Sequence, residues 1–219
     1  MAIEVVRASN SQINCASGAT IDSLFTGGGG ISIWLKRVSD AGAETTQTVV
    51  FKDWEFDMMN FSTYGAAAGV LRFYIAWTTT AGDWRTTSAA ISSDDIWYHL
   101  ALTYDDGSTG NDPIFYVNGS SVALTEVGTP VGTVSYTDTA SLIFGRTTHG
   151  PNAILEDIRL FDRILSVDEI ATLAAGYRSP VRWPIVFLDA HSAEQAEADH
   201  QGDGLTDGQR PGVEQQHGY

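Results

Sequence analysis

Residues 97–106, Trp-Tyr-His-Leu-Ala-Leu-Thr-Tyr-Asp-Asp, lead through a loop of Gly, Ser, Thr, Asn and Asp into Phe115-Tyr-Val-Asn-Gly119. Two apolar-aromatic runs joined by turn-forming residues read as adjacent antiparallel strands. Such a hairpin has an apolar face and needs a second layer to cover it. The remaining sequence offers that layer. Apolar or aromatic clusters bounded by Gly, Ser, Thr, Asn and Asp recur at 3–7, 31–37, 48–60, 70–77, 84–91, 97–104, 113–118, 121–124, 141–146 and 153–161. Leu71, Phe73, Ile75 and Trp77 alternate with Arg72, Tyr74 and Thr78, and Ile31, Ile33 and Leu35 alternate with Ser32, Trp34 and Lys36. A period of two belongs to antiparallel strands with one face in the core. These patterns predict an all-β protein made of two packed antiparallel sheets.

The chain has 219 residues, enough for one large β domain, and is 43% hydrophobic and 11% aromatic, ample for a core between sheets. Its 27 acidic and 12 basic residues leave a net charge of −15. That field repels phosphate backbones and anionic membrane surfaces, so no nucleic-acid partner is expected. It favours cations or a basic protein surface. Cys15 is the only cysteine, which rules out an internal disulfide. Residues 1–10 lack the basic stretch and apolar run of a secretory signal, and no apolar run reaches the roughly 20 residues of a membrane helix. The expectation is assembly in a reducing cytoplasm, without membrane insertion.

Gly27 to Gly30 precede the strand at 31 without a phosphate-loop Lys, and therefore form a turn and not a nucleotide site. One helix is predicted at about 167–175. Ser166-Val-Asp-Glu169 is a capping box, Ile170, Leu173 and Ala174 form an apolar face, and Gly176 ends it. From Ala190 the composition changes, with six acidic residues, one Arg and three His among few large apolar side chains. Residues 1–178 are expected to form the β domain and 179–219 an extended acidic arm that gains order from a partner.

Several segments resemble the laminin-G-like, concanavalin A-type jelly roll. Ile31-Ser-Ile-Trp-Leu-Lys-Arg37 is similar to an early strand of that family, and Trp97 to Asp106 with Tyr116-Val-Asn-Gly119 to its central hairpin. Leu142-Ile-Phe-Gly-Arg146 resembles a later strand, and Leu155 to Ser166 with Glu169-Ile170 its closing strand and capped helix. The order of these pieces matches over roughly residues 20–178. The resemblance implies a jelly-roll fold that more often binds than catalyses. It also implies a region of structural calcium in some members, where Ala153 and Glu156 replace the family's usual Gly and Asp. Glu156 keeps a carboxylate there, and Asp22 is a candidate second ligand. Tyr177-Arg-Ser-Pro-Val-Arg-Trp-Pro184 and Ile185-Val-Phe-Leu188 resemble the ends of laminin-G-like proteins encoded by bacteriophages.

Three kinds of site are candidates. In the related β-glucanases one strand carries Glu-x-Asp-x-(x)-Glu, a nucleophile and an acid/base on one face. Trp54-Glu-Phe-Asp-Met-Met-Asn60 keeps Glu55 and Asp57 but has Asn60 where the proton donor belongs, and an amide cannot supply that proton. The motif reads better as a strand with an acidic face, and no catalytic residue is assigned. Trp54, Tyr64, Trp84 and Tyr136 lie at or near strand ends and are the candidate ligand-binding rings, since sugars stack their C–H faces on flat aromatics. Core packing is the competing use of each ring. Asp105-Asp-Gly-Ser-Thr-Gly-Asn-Asp112 offers Asp105 and Asp106 to calcium, or serves simply as a hairpin loop. In the tail, Asp199, Asp203 and Asp207 follow a calcium-loop spacing, but Arg210 stands at the position of the closing carboxylate and opposes a second cation.

The resemblance implies a non-enzymatic structural or adhesive module, a bacteriophage virion protein of the capsid-decoration or host-contact kind. It would bind protein or glycan surfaces, within a homo-oligomer or larger assembly, and contact other virion or surface proteins through 179–219. A soluble calcium-assisted carbohydrate-binding module is the alternative, and a β-glucanase-like hydrolase ranks third.

Overall fold

Strand-forming alternation becomes two sheets in the computed structural model, which describes residues 3–5, 12–39, 47–52, 56–58, 69–135, 140–146 and 150–176. The strands are β1 (Ile3–Val5), β2 (Ile13–Asn14), β3 (Gly29–Ser39), β4 (Val50–Lys52), β5 (Phe56–Met58), β6 (Arg72–Ile75) and β7 (Gly82–Thr86). They continue as β8 (Trp97–Tyr104), β9 (Ile114–Val117), β10 (Ser120–Val122), β11 (Leu124–Gly128), β12 (Leu142–Phe144) and β13 (Asn152–Phe161). A short helical turn, α1, spans Ala19–Asp22, and α2 spans Val167–Ala175. Sheet A has the order β1-β13-β3-β8-β9-β10 and sheet B the order β11-β7-β6-β5-β4-β12-β2, and all named pairs are antiparallel. Two runs of sequential strands, β4 to β7 and β8 to β10, are joined to strands far apart in sequence, as in β1–β13, β13–β3, β3–β8 and β4–β12, the mark of a jelly roll. Residues 179–219, expected as an arm, lie outside the described residues.

The core forms where the two periods of two meet. Ile31, Ile33 and Leu35 pair in register with Leu102, Leu100 and Tyr98, and all six are buried together with Phe73, Ile75, Val50 and Phe144 of sheet B. The hairpin β8–β9 is the one anticipated from residues 97–119. Its neighbour β9–β10 turns on Asn118 and Gly119, both at positive φ (51° and 83°), a backbone that Asn-Gly adopts with little strain. The strand expected at 48–60 is two elements, β4 and β5. That at 84–91 is displaced to β7, because Gly82 and Asp83 pair with β6 while residues 87–91 leave the sheet.

Sheet A has a second apolar layer on its outer side. Ala101, Tyr116 and Phe161 point away from the core and are covered by Leu165 and Ile170. The capping box that starts α2 is complete, with the Ser166 side chain accepting from the Glu169 amide and Glu169 accepting from the Ser166 amide. A bulge in β13 shapes the same side. The register slips between Glu156 and Arg159, and Asp157 takes a left-handed φ of 48°. The extra residue lets both Leu155 and Ile158 face the core. Arg159 steadies the bulge by donating to both carboxylate oxygens of Asp157, at 2.8 and 3.0 Å.

Candidate functional site

The outer face of sheet B carries polar and aromatic groups where sheet A carries its apolar cover. Phe51 pairs with Asp57, Asp57 with Tyr74, and Tyr74 with Asp83, so one register row crosses four strands. Two guanidinium groups lie over the rings, that of Arg146 3.9 Å from the centre of Phe51 and that of Arg72 4.9 Å from the centre of Tyr74, a favourable cation–π arrangement. Arg72 donates to both oxygens of Asp83 at 2.8 and 2.9 Å, and Arg85 donates to the same carboxylate at 3.3 and 2.8 Å. Burial alone would raise the Asp83 pKa, but the hydrogen bonds and charges of the two guanidiniums outweigh it and lower the pKa. The result is a platform of rings and guanidinium planes around an ionised carboxylate.

At the rim, the core ends in an aromatic plug of Phe25, Phe73, Trp84 and Tyr104, whose ring centroids lie 5.4–5.9 Å apart. The loop after β8 closes over it. The Asp106 amide donates to the Phe25 carbonyl at 3.2 Å. The Asp105 side chain accepts from the Gly107 amide at 2.9 Å, and Asp112 accepts from Trp84 Nε1 at 2.8 Å. Asp106 differs from both. It is 9% exposed, and its Oδ2 is buried with no hydrogen-bond partner. Burial and the neighbouring Asp105 charge push its pKa up to about 6. Tyr104 is also buried with an unpartnered hydroxyl. Its pKa rises through burial and then the charges of Asp106, Asp112 and Asp105. Trp77 acts in the opposite direction, tempering that rise.

Of the predicted ligand-binding rings, Trp84 is placed in the core. It is 1% exposed and stacked on Phe73, so it offers no face to a ligand. Trp54, Tyr64 and Tyr136 lie outside the described residues, as do Glu55, Asn60 and the tail calcium-like spacing. Of Asp57, only the strand position is described. Phe51 and Tyr74, both half-buried, stand at the outward positions of the alternating strands β4 and β6, the signal by which they could have been selected.

The predicted metal ligands fall on different elements. Asp22 Oδ1 lies 3.1 Å from Nζ of Lys52, whose side chain is fully buried. Glu156 follows inward-facing Leu155 and so belongs to the outer side of sheet A. Asp105 and Asp106 share the rim loop. Among the described residues, no three His, Cys, Asp or Glu side chains converge into a ready metal cage. His99 and Ser32 do form a close pair, with Nε2 and Oγ 2.9 Å apart. They are 0% and 2% exposed, and the His99 pKa is pushed down to about 4, mainly by burial. This sealed neutral imidazole is structural. Among the described residues, no helix is long and apolar enough to cross a membrane, which says nothing about spanning by strands.

With this geometry in place, comparison with known proteins gives the class. The family model described as the concanavalin A-like lectin/glucanases superfamily matches residues 9–171, and the chain belongs to that family. Among curated proteins, none matches this chain. Solved structures with the same fold include the binding domain of Paraclostridial Mosquitocidal Protein 1, at 16% identity and a TM-score of 0.62 over 80% of this chain and 43% of that one. The botulinum neurotoxin serotype G binding domain follows at 13% and 0.60, covering 81% and 43%. The serotype D ligand-binding domain in complex with N-acetylneuraminic acid matches at 12% and 0.54, covering 75% and 39%. The chain spans about two-fifths of the length of each.

Proposed function

We propose that this chain is a non-enzymatic binding module of a bacteriophage virion, a capsid-decoration or host-contact component that grips glycan or protein surfaces. The observation that carries the binding role is the outer face of sheet B. Phe51 and Tyr74, each overlaid by an arginine, and the Arg72–Asp83–Arg85 cluster combine flat surfaces with hydrogen-bonding groups. Sugars are recognised by that combination of stacking and oriented polar contacts. The absence of catalysis rests on Asn60, an amide at the position where a glucanase needs its proton donor. The toxin neighbours named above are all binding domains, which favours recognition over turnover. The virion context rests on the resemblance of residues 177–188 to phage-encoded relatives, with the acidic arm at 179–219 contacting neighbouring subunits.

The test has two arms. On a glycan array the wild-type chain binds a defined set of sugars, and Phe51→Ala or Tyr74→Ala weakens that binding by about tenfold or more, the usual scale for losing a stacking ring. In the second arm the protein co-sediments with phage particles of its source. A chain that binds no glycan and no particle overturns the proposal, and release of reducing sugar from a β-glucan overturns its non-enzymatic part.

A further inference from the structure

We propose that the sheet B platform recognises an acidic sugar, a glycan whose terminal residue carries a carboxylate, and that Arg146 is the group that reads it. This deepens the binding role proposed above and rests on it. The three guanidiniums of the platform are not equivalent. Arg72 and Arg85 both donate to Asp83, so the protein itself supplies them with a counter-charge. Arg146 is half-buried, and its partner is the Phe51 ring, whose centre lies 3.9 Å away. Among the described residues, no carboxylate forms an ion pair with it.

The local fold holds this guanidinium in place. Gly145 takes a φ of 71° and its amide donates to the Val49 carbonyl at 2.8 Å, which turns the chain after β12 back across β4. Phe51 is fixed in register between Asp57 and Ile143. The ring attracts the guanidinium by cation–π contact and takes up none of its N–H donors. A ligand therefore meets a donor fork positioned in advance, which lowers the cost of ordering. That fork matches a carboxylate bidentately, and such charge-assisted bonds are roughly twice as strong as neutral ones. The row from Phe51 to Asp83 has a polarity, with Arg146 over one end and a carboxylate at the other, three strand spacings or about 14 Å away. It orients a ligand with its acid at Phe51 and its neutral part towards Tyr74. The net charge of −15 opposes a polyanion such as a sulfated chain. A single carboxylate at the end of an otherwise neutral glycan fits both the local cation and the overall charge.

The experiment arrays oligosaccharides ending in glucuronic acid or a sialic acid beside the same glycans with that carboxyl reduced to an alcohol, and applies the full chain. At least one acid is expected to bind about tenfold or more tighter than its reduced counterpart, the scale of one charge-assisted pair. Arg146→Gln brings that acid down to the level of its counterpart. Arg163→Gln, which removes an equal charge beside α2, keeps the preference. Arg146→Lys, which keeps the charge without the fork, retains only part of it. Equal binding of acids and reduced glycans overturns the inference and leaves the glycan-binding role standing, as does a preference that survives Arg146→Gln. A chain that retains acidic peptides and no glycan overturns it in favour of a protein partner. Binding to nothing on the array removes the glycan reading itself, and the inference with it.

Discussion

Asp83 and Asp106 are the same side chain at nearly the same exposure, 8% and 9%, and the protein treats them in opposite ways. On sheet B, Asp83 is enclosed by two guanidiniums, and its pKa falls despite burial. At the rim, Asp106 is buried beside another carboxylate, and its pKa climbs to about 6. Burial therefore does not decide the fate of a charge; its partners do. The first carboxylate helps hold the sandwich together. The second is a liability that the protein carries in one loop, buried beside a charge of the same sign.

Removing Asp83 should have the largest effect. Asp83→Ala leaves Arg72 and Arg85 side by side without the carboxylate between them, at 15% and 24% side-chain exposure. Breaking a fully buried ion pair costs about 3–5 kcal/mol, and the partial exposure trims this to roughly 2–4 kcal/mol. Urea unfolding at neutral pH measures it. A loss below about 1 kcal/mol would mean that the cluster is a surface ornament and that the contrast with Asp106 is false.

The matching change at the rim should act in the opposite direction. At pH 7.5, Asp106→Asn is expected to stabilise the protein by about 1–3 kcal/mol, the upper bound being a rise of about two pKa units at 1.36 kcal/mol each. The sign follows from linkage. The folded pKa, about 6, exceeds the unfolded 3.8, so the penalty is complete above pH 6 and disappears as the pH falls towards 4. Wild-type stability should accordingly rise from pH 7.5 to about 5. Below the unfolded carboxylate value it should fall, as Asp83, whose pKa is lowered, becomes protonated and loses its contribution. Unfolding midpoints across this range test both limbs, and Asp106→Asn should erase the first while keeping the second.

How much of this was legible in the chain depends on the range of the interaction. Period-two alternation in 31–36 and 71–78 marked the inner faces correctly, because a strand's geometry is local. The Ser166–Glu169 box marked the start of α2 for the same reason. Pairings across strands were not legible. Arg72 and Asp83 are eleven positions apart and meet only because β6 and β7 align in one register. Trp84 looked like a binding ring at a strand end, yet Gly82 makes room for it. A Cβ at Gly82 would fall 2.3 Å from the indole, so the glycine and the buried tryptophan are one packing unit. That the outer face of sheet A is covered depends on where α2 lands, and that information is not carried by any single segment.

The smallest effect is expected at a carboxylate with a shift comparable to that of Asp106 and opposite in direction. Glu169 has its pKa lowered to about 2, first by its hydrogen bond from Arg163 and then by the Ser166 amide. Its side chain is 40% exposed and that of Arg163 49%, so water already solvates both charges and screens their attraction. Gln at this position keeps the reciprocal hydrogen bonds of the capping box and removes only the charge. Glu169→Gln should therefore cost about 0.5 kcal/mol or less, whereas Glu169→Ala, which also breaks the box, should cost about 1 kcal/mol. Equilibrium unfolding of both variants separates the two contributions. A loss for Glu169→Gln as large as that for Asp83→Ala would show that pKa shift alone scales with stability, and the distinction between a buried partner and an exposed one would have no force.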